Sequence, residues 1–416
     1  MARAERHCPD RRALRPGDRG PDGQGLLPQG LRARRERRLE GWHPLRRHPR
    51  HHPQGVDAGR VGRALAGMPA ESVEHLVIGA GPAGLRAAQV LAEAGREVLV
   101  LERHADVGPK TCAGGLTRKA MDALAALGLP ESATTTHVGL ARFAGGATFA
   151  LDAERCTVHT ISRRALGQRQ LAWTRAAGAE VRAGTPARRL DLAARTVVAD
   201  GRVHRWRHLI GADGSDSAVR RALGLPCPRR YFACEYNVPH AEAGPLRVEC
   251  DAEHLANGYF WVFPHAEYVS IGCGSETRLV PPGALHRYLD ARCARLGVDT
   301  RAVPFEGATI EVDFHGLHFA GGAVHLAGDA AGLASSLTAE GIYAALVSGE
   351  AVARGILEPG YRSPALARWL RTKRQHDVAS RLVARAWARR LLLPLFAALG
   401  RWGPTRRRLA DWYLDG

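Results

Sequence analysis

The stretch VIGAGPAG, residues 77–84, narrows what this chain can fold into more than any other. It closes the apolar run HLVI and opens PAGLRAAQVLAEAG, whose apolar residues recur at helical spacing and stop at Gly95. A second apolar run, EVLVLER, follows. Strand, helix and strand in this order predict a βαβ unit. Within it, Gly79, Gly81 and Gly84 have the GxGxxG spacing. The first glycine permits a tight turn, the second lets backbone approach a pyrophosphate, and the third lets helix and strand pack closely. The helix N-terminus stabilises the anionic charge. Glu102 ends the second strand, 18 residues past Gly84, where a carboxylate can accept from a ribose diol. Arg103 adjoins it and is expected among the cofactor contacts. A lone GxGxxG is weak; with the full unit and the acid it predicts a dinucleotide site.

Two later segments decide which dinucleotide. LIGADGSDSAVRRALG (209–224) is an apolar strand, then Asp213-Gly214, then a helix start near Ser217 and Arg220. VHLAGDAAGLASSLTAEGIYAALVSGE (324–350) is a strand, then Gly328-Asp329, a small-residue loop, and a helix opening at Gly341-Ile342. Either segment alone is a common strand–turn–helix with a turn aspartate. Both, after a GxGxxG unit, predict FAD. Asp329 can hold ribityl or pyrophosphate hydroxyls, and the helix after Glu340 can aim its positive end at the flavin pyrimidine.

The net charge of +18 needs placing before it is interpreted. Residues 1–67 carry 16 Arg against 7 acidic residues, and residues 361–416 carry 13 Lys and Arg against 3 Asp. That leaves 68–360 with 30 basic and 31 acidic residues. The basicity belongs to the ends, which argues against a nucleic-acid partner. Residues 1–67 lack helical or strand periodicity and are rich in Arg, Pro, Gly and His, the mix given by out-of-frame translation of GC-rich DNA. They are expected to be either a disordered basic arm or, the preferred reading, sequence upstream of a translation start at Met68. Eight Cys occur without a CxxC pair, so no metal site or disulfide frame is expected, and the thiols suit a reducing, cytoplasmic setting. No apolar run reaches the ~20 residues of a bilayer span. In RLVARAWARRLLLPLFAALGRW (381–402), Arg381, Arg385 and Arg389 share a helix face, with Val383, Trp387 and Leu391 roughly opposite. Trp369, Trp402 and Trp412 add aromatics. Such a tail suits peripheral binding to an anionic membrane, against the alternative of a helix packed on the body.

Beside these segments stand two more specific stretches, KTCAGGLT (110–117) and YFWVFP (259–264), the latter followed by EYVSIGCG. With them the chain resembles the FAD-dependent geranylgeranyl reductase family, within the p-hydroxybenzoate-hydroxylase-like flavoproteins, over roughly 71–350. The first looks like the family's Cys-x-Gly-Gly loop and the second like its Tyr-x-Trp-x-Phe-Pro motif. Arg163 in ISRRALGQ matches the family's arginine. Gly167 stands where an acid often follows, and Ala339 where glycine is common.

The resemblance implies an α/β fold. A Rossmann-like FAD-binding domain (71–115, 156–225 and 305–360) is interleaved with an antiparallel-sheet substrate domain (116–155 and 226–304), and 361–416 forms a helical tail. It implies hydride delivery from reduced FAD to one carbon of a C=C bond in a polyprenyl lipid or pigment. NAD(P)H or ferredoxin would supply the electrons; no second GxGxxG marks a nicotinamide site. An alkene offers no polar handle, so specificity should come from an apolar tunnel. Cys112 is expected near the reacting face, as proton donor or tunnel wall, against the ordinary fate of a small buried hydrophobe. Gly114 and Gly115 would permit close approach to the flavin. Tyr259, Trp261 and Phe263 alternate on one strand face, expected to line the substrate cavity, with Tyr259 available to a proton relay. His265 and His325 read as structural.

Two competing readings stand beside this one. A flavin monooxygenase or halogenase would use a related fold, halogenases typically showing Trp-x-Trp-x-Ile-Pro where this chain has Tyr259-x-Trp261-x-Phe263-Pro264. A non-catalytic basic binding protein would rest on net charge alone.

Overall fold

The computed structural model describes residues 67–138, 140–143, 148–150, 157–239, 244–399 and 403–414. The expected disordered segment up to residue 66 and Trp402 lie outside them. In chain order the elements are β1 (Ala70–Ile78), α1 (Pro82–Glu93), β2 (Val98–Leu101), β3 (Gly115–Leu116), α2 (Arg118–Ala125), β4 (Thr135–Val138), β5 (Leu140–Phe143), β6 (Thr148–Ala150), β7 (Thr157–Thr160), α3 (Arg163–Ala176), β8 (Glu180–Arg182), β9 (Arg189–Asp191), β10 (Thr196–Ala199) and β11 (Arg202–Gly211). They continue with α4 (Ala218–Ala222), β12 (Arg230–Pro239), β13 (Arg247–Cys250), β14 (Tyr259–Pro264), β15 (Tyr268–Glu276), α5 (Pro282–Arg295), β16 (Phe305–Glu311), β17 (His318–Phe319), β18 (Val324–Leu326), α6 (Ile342–Leu357), α7 (Pro364–Ala384), α8 (Ala386–Leu399) and α9 (Gly403–Leu414).

β8, β2, β1, β11 and β18 pair in parallel in that order, with β17 antiparallel on the β18 edge and β10 and β9 extending from β11. β2 is buried throughout, as expected of a parallel strand covered on both faces. Side chains alternate between two cores. Leu76, Ile78, Leu101 and Leu209 face one side. Val77, Val100 and Ile210 face the other, where α1 and α6 pack on each other. A second sheet, β16-β12-β15-β14-β13-β5-β6, is antiparallel except where β13 meets β5, and α5 packs its Leu285, Leu289 and Cys293 on one face. β3, β7 and β4 form a small third sheet. All lie in one compact unit. The chain returns to the parallel sheet only after Glu311, because β16 pairs residue by residue with β12. That moves the expected boundary at 305 to beyond the strand.

α7 is not a free tail. Trp369 is buried and its Nε1 donates to Leu333 O at 3.1 Å. Buried Lys373 donates to Val312 O (2.7 Å) and Ala334 O (2.9 Å). His376 Nδ1 pairs with Ser335 Oγ at 2.8 Å. The helix ends at Ala384, so the described part of the stretch, 381–399, falls in two helices and is not one continuous face.

A row of imidazoles crosses the parallel sheet. His75 on β1 stacks on His208 of β11 with ring centres 5.4 Å apart, and His208 stacks on His325 of β18 at 5.6 Å. His325 Nδ1 lies 2.8 Å from His318 Nδ1, so one donates and the other accepts. Burial and the neighbouring imidazoles hold His325 down to about 3, and burial depresses His75, His208 and His318 as well. The native row therefore binds fewer protons than the unfolded chain below the ordinary histidine value of 6.5. Its contribution is present above that value and is lost as pH falls toward 3. Each pH unit in that window costs about 1.4 kcal/mol per histidine that the fold keeps neutral. Thermal melts from pH 7 to 4 should show the melting temperature falling. A His325→Leu variant, destabilised at pH 7, should close the gap to wild type on acidification; a constant gap would refute the assignment.

Candidate functional site

The turns after β1, β2, β11 and β18 gather at the carboxyl edge of the parallel sheet, where such folds bind ligands. The glycines divide their work as their spacing implies. A Cβ at Gly84 would collide with Gly79 O, and one at Gly79 (φ +104°) with Ala212 O. A Cβ at Gly81 would meet nothing within 4 Å. Two glycines are closed by packing, and the one meant for a pyrophosphate faces open space. Gly81 caps α1 without a side-chain bond, leaving its first-turn N–H groups without a side-chain acceptor at the cap. Glu102 is tied to this turn: its Oε2 accepts from Ala80 N at 2.7 Å and its Oε1 from His104 N at 2.9 Å. Arg103 donates from Nε to His104 Nε2 at 2.9 Å on the exposed side.

Asp213 holds the next turn, its Oδ2 accepting from Ala218 N at 2.6 Å while Oδ1 finds no partner among the described residues. Arg220, 1% exposed, ties this turn to the one after β18. It donates to Ser215 O, and to Asp329 O and Ala330 O at 3.3 Å each. Its role as a clamp was not legible, because nothing local marks an arginine whose partners lie 109 and 110 residues away. Asp329 accepts from Lys110 Nζ at 2.8 Å. Burial pushes its carboxyl up, but the charges of Lys110 and Arg163 more than offset this and hold it below the ordinary range. Gly341 caps α6 without a side-chain bond, and a Cβ there would come 3.1 Å from Asp329 Oδ1. Ile342 is buried behind it. Ala339, in the position where the resemblance leads one to expect glycine, adopts φ +55°. Gly167 has no room for a side chain, since a Cβ would collide with the Gly108 backbone.

The Cys112 loop is held from the second sheet. Cys112 N donates to Glu235 Oε1 at 2.6 Å, and Gly114 N donates to Cys112 Sγ at 3.5 Å. His265 Nε2 donates to Ala113 O at 2.9 Å, its imidazole pushed down to about 4 by burial and hence neutral. A Cβ at Gly114 (φ +71°) would lie 2.6 Å from His265 Cε1, and one at Gly115 2.5 Å from Phe263 Cε2. The room these two glycines leave is therefore taken by side chains of β14 and the turn after it. Thr117 Oγ1 donates to Glu340 Oε1 at 2.8 Å, and Lys119 pairs with Glu340 at 3.0 Å, so the loop is also tied to the start of α6.

Tyr259, Trp261 and Phe263 share one face of β14, while Phe260 and Val262 face α5. Tyr259 donates to Thr338 O at 2.6 Å. Burial first, then the proximity of Cys112, Cys250 and Glu340, pushes its phenol far up, so it stays protonated. Cys112 and Glu340 thus each lie within electrostatic reach of Tyr259. Trp261 Nε1 donates to Ser270 Oγ (2.9 Å), which donates to Glu235 Oε2 (2.7 Å). Glu235, fully buried, was missed: in YFACEYNV it reads as an ordinary strand residue. Arg163, at the first turn of α3, is 9% exposed, and its Nε has no partner among the described residues. A cradle with open space at Gly81, two helix starts free of side-chain caps and the orphaned Arg163 Nε and Asp213 Oδ1 fits a dinucleotide with a further polar ring system.

The FAD binding domain family matches residues 72–280. Digeranylgeranylglycerophospholipid reductase 1 of Methanopyrus kandleri is 32% identical over 300 residues, 66% of this chain and 77% of that protein. Menaquinone reductase of Mycolicibacterium smegmatis is 30% identical over 376 residues, 80% of this chain and 88% of that protein. The crystal structure of a geranylgeranyl bacteriochlorophyll reductase-like protein from Thermoplasma acidophilum has the same fold, with a TM-score of 0.66 at 20% identity over 82% of this chain and 100% of that one. Cradle, Cys-x-Gly-Gly loop and relatives agree: this chain belongs to the FAD-dependent geranylgeranyl reductase family.

Proposed function

We propose that the protein is an FAD-dependent oxidoreductase that saturates C=C bonds of a polyprenyl, geranylgeranyl-type group. One observation carries the reading: the Cys112 loop is pinned between the cofactor turns, through Lys110 and Thr117, and the aromatic face of β14, through His265 and Phe263. Reduced FAD supplies the hydride for one carbon of the alkene; NAD(P)H or ferredoxin supplies its electrons. The chain must bring a proton to the other carbon and keep water away. Tyr259 has its proton committed to Thr338 O, which leaves the Cys112 thiol as the better placed donor. Gly114 N, aimed at Sγ, would favour the thiolate formed when that proton leaves. Trp261 and Phe263 wall the substrate side.

The substrate arrives from an anionic membrane through α8. Its body-facing residues are small, Ala388 and Ala397 being buried, while Trp387, Leu391 and Leu395 expose 61%, 66% and 54% of their surface. Exposed Arg381, Arg385 and Arg390 flank them, each worth about 1 kcal/mol near anionic headgroups. Among the described residues no helix is long and apolar enough to cross a membrane, and α8 packs on β5, in the same sheet as β14.

Gly81→Val should leave the circular dichroism spectrum unchanged and abolish co-purified flavin absorbance, because the added side chain points into open space; a Gly81→Val protein that keeps stoichiometric flavin would refute the cradle. Reduced holoprotein, incubated anaerobically with polyprenyl lipids, should add two hydrogens per bond by mass spectrometry. Cys112→Ala should slow this by about 10²-fold or more with flavin retained. Unchanged lipids, or oxygen-coupled NADPH oxidation that hydroxylates them, would overturn the reductase reading. The full chain should sediment with anionic vesicles in a salt-sensitive manner, and Trp387→Asp/Leu391→Asp should lose that binding; equal sedimentation of the two would rule out α8 as the docking face.

A further inference from the structure

Glu235 is a buried carboxyl with no place in the reaction as derived so far. Its two oxygens are both used, and by different parts of the fold. Oε1 takes the Cys112 N–H at 2.6 Å, and Oε2 takes the Ser270 hydroxyl at 2.7 Å, itself braced by Trp261 Nε1 at 2.9 Å. Three elements that line the site thus meet on one side chain: the Cys112 loop, β15 and β14.

We propose that Glu235 is a positioning residue that grips the Cys112 loop through its backbone when ionised and relaxes that grip when it takes up a proton. The physical basis is that a backbone N–H bonds a carboxylate about twice as strongly as a neutral acceptor. The surroundings make a change of state accessible near neutrality. Glu306 stands directly opposite on β16. Arg163 faces it from α3, and Tyr268 and Ser270 from β15; Trp261 comes from β14 and the Cys112 N–H from the loop. His265, stacked on Tyr268 at 4.3 Å, is neutral. Burial pushes the Glu235 carboxyl up, and Glu306 adds to this. The two hydrogen bonds and the Arg163 charge pull it back, leaving it at about 7. Below that value the carboxyl is protonated and the loop is held by an ordinary hydrogen bond; above it, by a charge-assisted one.

This inference rests on the Cys112 loop being the reacting face only for its consequence, since its test reads the thiol directly. Full-chain holoprotein is treated with iodoacetamide from pH 5.5 to 9, and alkylation of Cys112 is followed by peptide mass spectrometry. In the wild type the rate, corrected for the thiolate fraction, should change about threefold or more through an inflection near pH 7. Glu235→Gln, nearly the same shape but unable to ionise, should show no inflection. Ser270→Ala withdraws one hydrogen bond from the ionised form and should move the inflection up by about one pH unit. A wild-type profile that follows a single thiol titration, or an inflection that survives Glu235→Gln, would overturn the proposal. Should Glu235→Gln fail to fold, an inflection left unmoved by Ser270→Ala would do the same.

Discussion

The contact on which the rest depends is the crossing of α1 over the end of β1, where Gly84 lies against Gly79. No side chain can intervene there, so the helix axis comes as close to the strand as backbone permits. That closeness aims the first turn of α1 across the edge of the sheet and puts Gly81 in the open. It also sets Ala80 N where Glu102 can hold it, so that the second strand is locked to the first turn. Once β1 and β2 are fixed, the register of β11 and β18 places the aspartate turns beside them. A wider crossing would scatter all four turns.

Onto this frame the antiparallel sheet contributes very little of the cofactor cradle and most of the support for the Cys112 loop. Glu235, His265 and Phe263 come from β12 and from β14 and its end, yet all three act on residues 112–115. The loop itself belongs by sequence to the parallel half. Interleaving is therefore more than a matter of chain order. The Cys112 loop is suspended between two sheets and takes its shape from both, with α7 bracing the segment 333–338 from behind through Trp369, Lys373 and His376.

Much of the cradle could be read from the chain because its chemistry is local. The Gly84–Gly79 contact, the Asp213 turn and the helix starts all act within a few residues of themselves, and periodicity locates the strands that carry them. What escaped reading acts at a distance. Arg220 reaches a turn more than a hundred residues on, and Glu235 meets Cys112 across two sheets. The tail misled for the same reason. The tryptophans at 369 and 387 look alike in sequence, but one is buried against Leu333 O and the other is exposed, and only the break at Arg385 separates their fates.

Gly272 lies between Glu235 and Trp261 in the pairing of β12, β15 and β14, and its missing side chain is the bed on which the Trp261 indole rests. It carries no side chain at all. Yet any larger residue there would lift the indole from Ser270 and leave the acid that holds the Cys112 loop with one brace fewer. Among related chains, the identity of this one silent position should sort those that can seat a tryptophan against the serine that braces the buried acid from those that cannot.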